Sequence, residues 1–287
     1  MQVINKIIWG YRKRFGILWY YFKQGYKRTS WNELLFHLFS PSMYRIADEH
    51  AALVRADDKY SYYRIKGFDD LFLYPKQAPY YSLAMVLAES RPQHWHYYEV
   101  PETAVAPGDV IVDCGCAEGL FSFRHLRTAH HIYAMEPLSV FIDSLGSLFK
   151  DQQKVTILPY AAGDTCKDAY IGTSSAETII DATIQETDGG ANAEKISIVT
   201  IDSLFAEKGI HINYLKADIE GFEENMIRGA LETIRVSKPK IAVTTYHRGQ
   251  DYKKLIELVR SVAPEYKYRI KGIDYLSGNP IMLHMWI

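Results

Sequence analysis

Val110–Phe123, VIVDCGCAEGLFSF, is the stretch that decides the fold. Three β-branched residues, Val110, Ile111 and Val112, read as a buried strand that runs straight into Asp113. A turn of small residues follows, Cys114, Gly115, Cys116 and Ala117, with Gly119 two positions on, and Leu120–Phe123 resumes a helix-like apolar pattern. Such a turn sits at the carboxyl end of a strand, where open α/β sheets bind ligands. Glycine there permits a positive φ and a close backbone approach. The spacing is D-x-G-x-x-x-G, not the G-x-G-x-x-G of dinucleotide sites. An acid at the strand end repels a pyrophosphate and favours a cation or hydroxyl donors.

The next strand, Ile132–Met135, ends in Glu136-Pro137, and Glu136 lies 23 positions after Asp113. A carboxylate there can accept both hydroxyls of a ribose. Together the two acids point to S-adenosyl-L-methionine (SAM), which carries a sulfonium and an ammonium, ahead of a nicotinamide nucleotide. Further buried strands are expected at Val155–Leu158, Tyr214–Ala217 and Ile241–Thr245, with Tyr266–Ile270 and Ile281–Ile287 pairing as a closing hairpin. Between them Leu138–Phe149, Phe222–Ile234 and Leu255–Val262 keep helical spacing. Strands and helices in alternation imply a parallel sheet covered on both faces. Lys167–Lys195, rich in Thr, Gly, Ser and Ala, reads as a hairpin or flexible excursion near the ligand edge.

The 287 residues carry a net charge of −1, which gives no global field for nucleic acid, and none is expected as a partner. The start of the chain differs from the rest. Residues 1–32 hold Lys6, Arg12, Lys13, Arg14, Lys23, Lys27 and Arg28 and no acid, interleaved with aromatic side chains. The apolar run Phe15–Phe22 is far shorter than the ~20 residues of a membrane span. Residues 1–30 suit peripheral contact with an anionic membrane, packing on their own domain, or joining two subunits of a homo-oligomer. Residues 1–100 read as a helical, aromatic-rich basic extension: one helix through Met43, Ile46, Ala47, His50, Ala51 and Val54, a short strand at Leu71–Tyr74, and a helix over Tyr81–Glu89. Residues 101–287 read as the catalytic domain. Three cysteines cannot all pair, which favours reduced thiols in the cytoplasm, with membrane association on its inner face an open alternative.

Six blocks, "VIVDCGCAEGLFSF", "YAMEPLSVF", "PYAAGD", "VTIDSLF", "YLKADIEGFEENMIRGA" and "KPKIAVTTYH", resemble those of the FkbM-type SAM-dependent methyltransferases from Pro107 to about Gly272. The resemblance implies a Rossmann-like class I fold with a seven-stranded, mostly parallel sheet. It also implies methyl transfer to a hydroxyl of a sugar, glycan or related natural product, with S-adenosylhomocysteine (SAH) as product. Cofactor contacts are then expected from Asp113, Cys114, Gly115, Cys116, Gly119, Glu136, Pro137, Ala161, Ala162, Asp164 and Asp218. Two departures stand out: "GCAE" replaces the usual "GAN", and Thr245-Tyr246 replaces the acid common before the histidine of the fifth strand.

An alcohol must lose its proton as the new bond forms. The fourth strand delivers Lys216, Asp218 and Glu220, with Lys216 placed to favour ionised Asp218. The fifth delivers His247, the first choice for general base because an ordinary imidazole titrates near neutral pH. A divalent ion is not expected; were one used, Asp218 and Glu220 would hold it. His94-Trp95-His96 lies just before the first catalytic-domain strand and could line the substrate entrance or the surface. Rival readings are a non-catalytic scaffold that keeps the fold and a nicotinamide-dependent oxidoreductase.

Overall fold

The structure, a computed structural model, describes residues 2–23, 27–172, 183–185, 193–247 and 249–287. The chain opens with α1 (Gln2–Lys23), α2 (Trp31–Phe39) and α3 (Met43–His50). An antiparallel meander follows, β1 (Ala51–Ala56), β2 (Tyr60–Ile65) and β3 (Leu71–Pro75), and then α4 (Tyr80–Glu89). The second part runs β4 (Val110–Cys114), α5 (Leu120–His125), β5 (His131–Met135), α6 (Ser139–Leu148), β6 (Val155–Leu158) and β7 (Ala161–Ala162). After β8 (Lys167–Gly172), β9 (Thr183–Gln185) and β10 (Ala193–Val199) come α7 (Ile201–Leu204), β11 (Tyr214–Ala217), α8 (Glu223–Arg228) and α9 (Leu231–Ser237). The chain ends with β12 (Lys240–Thr244), α10 (Tyr252–Val262), β13 (Lys267–Lys271) and β14 (Met282–Trp286).

The main sheet has seven strands in the order β6-β5-β4-β11-β12-β14-β13, parallel except for β14. The order reverses at β4, beside β11, so the loops after these two strands diverge and leave a crevice at their carboxyl ends. Side chains alternate across the sheet, as a period of two requires. Ile111 and Tyr214 enter one core with Phe72, Leu83, Phe123 and Leu145, while Val112 and Leu215 enter the other with Ile227, Ile234 and Val259. The excursion after β7 forms a second sheet, β7-β10-β8-β9, in which β8 and β10 pair antiparallel. Residues 173–182 and 186–192 of the excursion lie outside the described residues.

Two expectations are corrected. The helix expected to run on through Ala51 and Val54 stops at His50, and residues 51–75 form the three-stranded meander. Asp57 decides this: its carboxylate accepts the backbone N–H groups of Lys59 and Tyr60, closing a turn that folds β2 back on β1. The single helix expected over Phe222–Ile234 is two, α8 and α9, broken at Gly229-Ala230. A Cβ on Gly229 would overlap the Gly163 carbonyl, so the break lets the loop after β7 press onto this corner.

Candidate active site

Burial of β4 and β11 against each other sets the first layer of the site. Their register places Lys216 opposite Asp113, and Lys216 Nζ lies 2.9 Å from Asp113 Oδ1, both side chains being almost wholly buried. The same ammonium donates to the Gly115 carbonyl at 2.7 Å. Burial disfavours the ammonium, but Asp113 and Asp218 outweigh it and raise its pKa. Ser122 on α5 donates to the other oxygen of Asp113 at 2.7 Å. This cluster clamps the glycine turn to the sheet.

Above it the turn faces a cavity of about 580 Å³, within the ~300–1,000 Å³ usual for small-molecule sites. Gly115, Cys116, Ala117 and Glu118 wall it on one side, with Glu136 and Pro137 after β5, Tyr160–Ala162 near β7, Asp218–Glu220 after β11, and Tyr246-His247 after β12. The turn is tightly made. Gly115 has φ +68° and approaches the Asp218 carbonyl so closely that a Cβ would overlap it. Ala117 is held at φ 44°, and its N–H donates to Glu136 Oε2 at 2.9 Å. Glu136 Oε1 accepts from Leu138 N at 3.0 Å, yet burial outweighs both bonds and lifts the Glu136 pKa to about 7. Burial lifts Glu118 to about 7 as well.

At the far end stand Asp218, His96 and His247. Tyr98 donates its hydroxyl to Asp218 Oδ2 at 2.7 Å, and the Thr244 hydroxyl, 2.8 Å from Glu223 Oε1, shares its one proton with Asp218 Oδ1 at 3.2 Å. Burial opposes the Asp218 anion, but His96, His247 and Lys216 overcome it and hold the carboxyl below its usual range. His96, which lies between α4 and β4, puts Nε2 3.5 Å from Asp218 and Nδ1 3.5 Å from Glu89 on α4. Burial pushes the His96 pKa down, which favours its neutral form, and pushes the Glu89 pKa well up.

His247 behaves oppositely. Burial works against its cation, but Nδ1 sits 3.1 Å from Glu223 and Nε2 lies 3.3 Å from Glu220 and 3.7 Å from Asp218, which raises its pKa to about 9. A pKa near 9 favours the imidazolium of His247 at neutral pH.

Asp218, Glu223 and His247 bring oxygen and nitrogen atoms within 4.8 Å of one another, a grouping with the composition of a metal site. Glu223, however, accepts from the Ile219 and Gly221 N–H groups, the Thr244 hydroxyl, His247 and Gln250. Its lone pairs are taken up in shaping the loop after β11, where Glu220 is held at φ 53°.

Of the residues singled out from sequence, Gly115, Cys116, Glu136, Pro137, Ala161, Ala162, Lys216, Asp218, Glu220 and His247 converge on the cavity. Asp113, Cys114 and Gly119 do not line it: Asp113 and Cys114 are wholly buried behind the turn, and Gly119 abuts Leu145 and Phe149. Asp113 anchors Lys216 from behind the turn. Asp164 lies outside the wall too, accepting from Asn225 at 3.0 Å. Glu89, Tyr98 and Glu223, which also line or support the cavity, were not singled out. The aromatic run His94–Tyr98 just before β4 was the one signal for Tyr98, and the repeated acids of ADIEGFEE the one for Glu223.

The family profile described as the methyltransferase FkbM domain matches residues 113–270, more than half of the chain, from the end of β4 into β13. The chain belongs to the FkbM methyltransferase family. A methyltransferase FkbM structure from Methylobacillus flagellatus KT is 18% identical with a TM-score of 0.48, covering 88% of this chain, which spans 60% of that one. Fibrillarin from Aeropyrum pernix, solved with natively bound SAM, is 12% identical with a TM-score of 0.42 over 82% of this chain and 99% of that one. Precorrin-6y C5,15-methyltransferase from Geobacter metallireducens is 11% identical with a TM-score of 0.37, covering 65% and 85% of the two chains. No curated protein sequence matches. The FkbM profile begins at Asp113, so α4 and the His96–Glu99 wall of the cavity stand outside the matched region.

Proposed function

We propose that this FkbM-family protein is a SAM-dependent O-methyltransferase whose acceptor is a hydroxyl of a sugar, glycan or related natural product. The observation that carries the reading is the placement of the buried His96 imidazole, Nε2 3.5 Å from Asp218, in the wall of the cavity.

The donor set fits the cofactor. Six acidic side chains line the cavity, Glu89, Glu99, Glu118, Glu136, Asp218 and Glu220, and their oxygens offer acceptors for the ammonium and hydroxyl donors of the cofactor. Glu136 keeps lone pairs for a ribose diol, and Cys116, Ala117, Pro137 and Tyr160–Ala162, which line the same cavity, would hold the nucleoside. Bound SAM supplies a methyl group on a positively charged sulfur and leaves as SAH.

The chain's own residues do the rest. His96 takes the acceptor's proton as the oxygen–carbon bond forms, and Asp218 stabilises the imidazolium that results. Tyr98 and Thr244 keep Asp218 oriented, while His247 balances the charge of the surrounding acids. His96→Ala is expected to lower kcat by ~10²–10⁴-fold with SAH affinity by calorimetry nearly unchanged. An unchanged kcat would remove His96 from the chemistry, and absence of SAH binding to the wild type would remove the cofactor reading.

A further inference from the structure

α1 and α2 form a bracket fixed to the rest of the molecule by buried polar bonds. Lys271, at the end of β13, lies 3.3 Å from Glu33 of α2, and Trp95 donates its indole N–H to Thr29 at 2.6 Å. The loop after β13 meets the bracket directly: Arg28 donates to the Gly278 carbonyl, and the Tyr20 hydroxyl donates to Leu276. Because β13 runs in the direction of β12, this loop lies at the carboxyl end of the sheet, the end that carries the cavity. Ile17, Tyr21, Leu34 and Leu38 fill the interface with Trp95 and Ile273.

The outward side is the anomaly. Tyr11, Phe15, Trp19 and Phe22 form one stripe on α1, at spacings of three and four, and Trp31, Leu35 and Phe39 form another on α2. Phe15, Phe22 and Phe39 are 70%, 72% and 75% exposed, far beyond the scattered apolar residue of an ordinary surface. Arg12, Arg14, Lys23 and Lys27 are exposed beside the stripes, and the first 32 residues contain no acid. Trp and Tyr favour the lipid headgroup region, and cations at that level favour anionic headgroups. Among the described residues no helix is long and apolar enough to cross a membrane.

We infer that the α1–α2 bracket is a docking surface for an anionic lipid bilayer, which it meets with its aromatic stripes while the cavity end of the sheet stays near the lipid surface. A second protein copy would be matched by aromatic side chains alone. The all-positive flank fits an anionic sheet of headgroups and opposes a like-charged copy of itself.

The test uses the full chain with vesicles of equimolar phosphatidylcholine and phosphatidylglycerol, and with phosphatidylcholine alone. Sedimentation with the anionic vesicles should exceed that with neutral ones by ~tenfold or more and fall as salt rises. Phe15→Ser/Trp19→Ser/Phe22→Ser and Arg12→Glu/Lys23→Glu should each lower it ~tenfold or more, while SAH affinity, read in the same preparations, stays at the wild-type value. SAH binding also reports that each variant is folded and separates failure of docking from failure of the cofactor reading. No preference for anionic vesicles would overturn the proposal. So would a wild-type dimer by sedimentation velocity that the serine variant dissociates, since the face would then belong to a second copy.

Discussion

Glu136 and His247 show how burial and partners set opposite protonation states within one cavity. Glu136 accepts two backbone N–H groups, yet burial keeps its pKa near 7. Hydroxyl donors from a ribose would favour its anion, so SAH binding near pH 7 is expected to release a proton. Calorimetry in buffers of different ionisation enthalpy reads this directly. Glu136→Gln should abolish the release and weaken binding by roughly ten- to a hundredfold, the range for a hydrogen bond to a charged group. His247 has its folded pKa raised from 6.5 to about 9. Its stabilisation is therefore fully present below pH 6.5 and is lost as pH rises through about 9. Wild-type stability in urea should fall by roughly 2–3 kcal/mol across that window, and His247→Gln should flatten the profile. A variant with the wild-type slope would mean that Glu223 and Glu220 do not hold the cation.

The glycine turn and the loop after β11 are shaped by each other. Gly115 must let the Asp218 carbonyl in, and it sits at a positive φ, so neither sterics nor backbone leaves room for a side chain. Gly115→Ala should lose ~2 kcal/mol or more of stability in urea and most SAH affinity, because both walls of the cavity would separate. Wild-type affinity in that variant would show that the two loops are held apart by something else. The D-x-G spacing was legible in sequence, because a strand ending in small residues has few other uses. That Asp113 would turn inward to Lys216 was not legible. Both acids of the cofactor reading end parallel strands, and only the strand register decides which one faces a buried ammonium.

Across the molecule, the amino-terminal hundred residues share a core with the parallel sheet. Phe72 of β3 and Leu83 and Leu87 of α4 are buried with Ile111, Phe123, Leu145 and Tyr214. Removing them would strip part of the cover from this core, which α5 and α6 share through Phe123 and Leu145, and expose apolar side chains to water. Unfolding in urea should therefore be a single transition in which tryptophan fluorescence and far-ultraviolet circular dichroism coincide. Four of the five tryptophans lie in the first hundred residues, so an early fluorescence transition would reveal a separable extension.

By itself the sequence determined the elements whose signals are local. Val155–Leu158 and Tyr214–Ala217 are strands at those residues because β-branched and apolar runs between turns have no other stable use in a large core. The acid at Glu136 and the glycine turn marked the cavity for the same reason. Only the tertiary structure decided what depends on distant partners. The meander at 51–75 exists because Asp57 folds the chain where helical spacing still ran on. His96, far from His247 in sequence, became the neutral imidazole because the fold buries it, whereas three acids surround His247 and keep its proton. Protonation follows solvation and neighbouring charge, and both are properties of the folded chain.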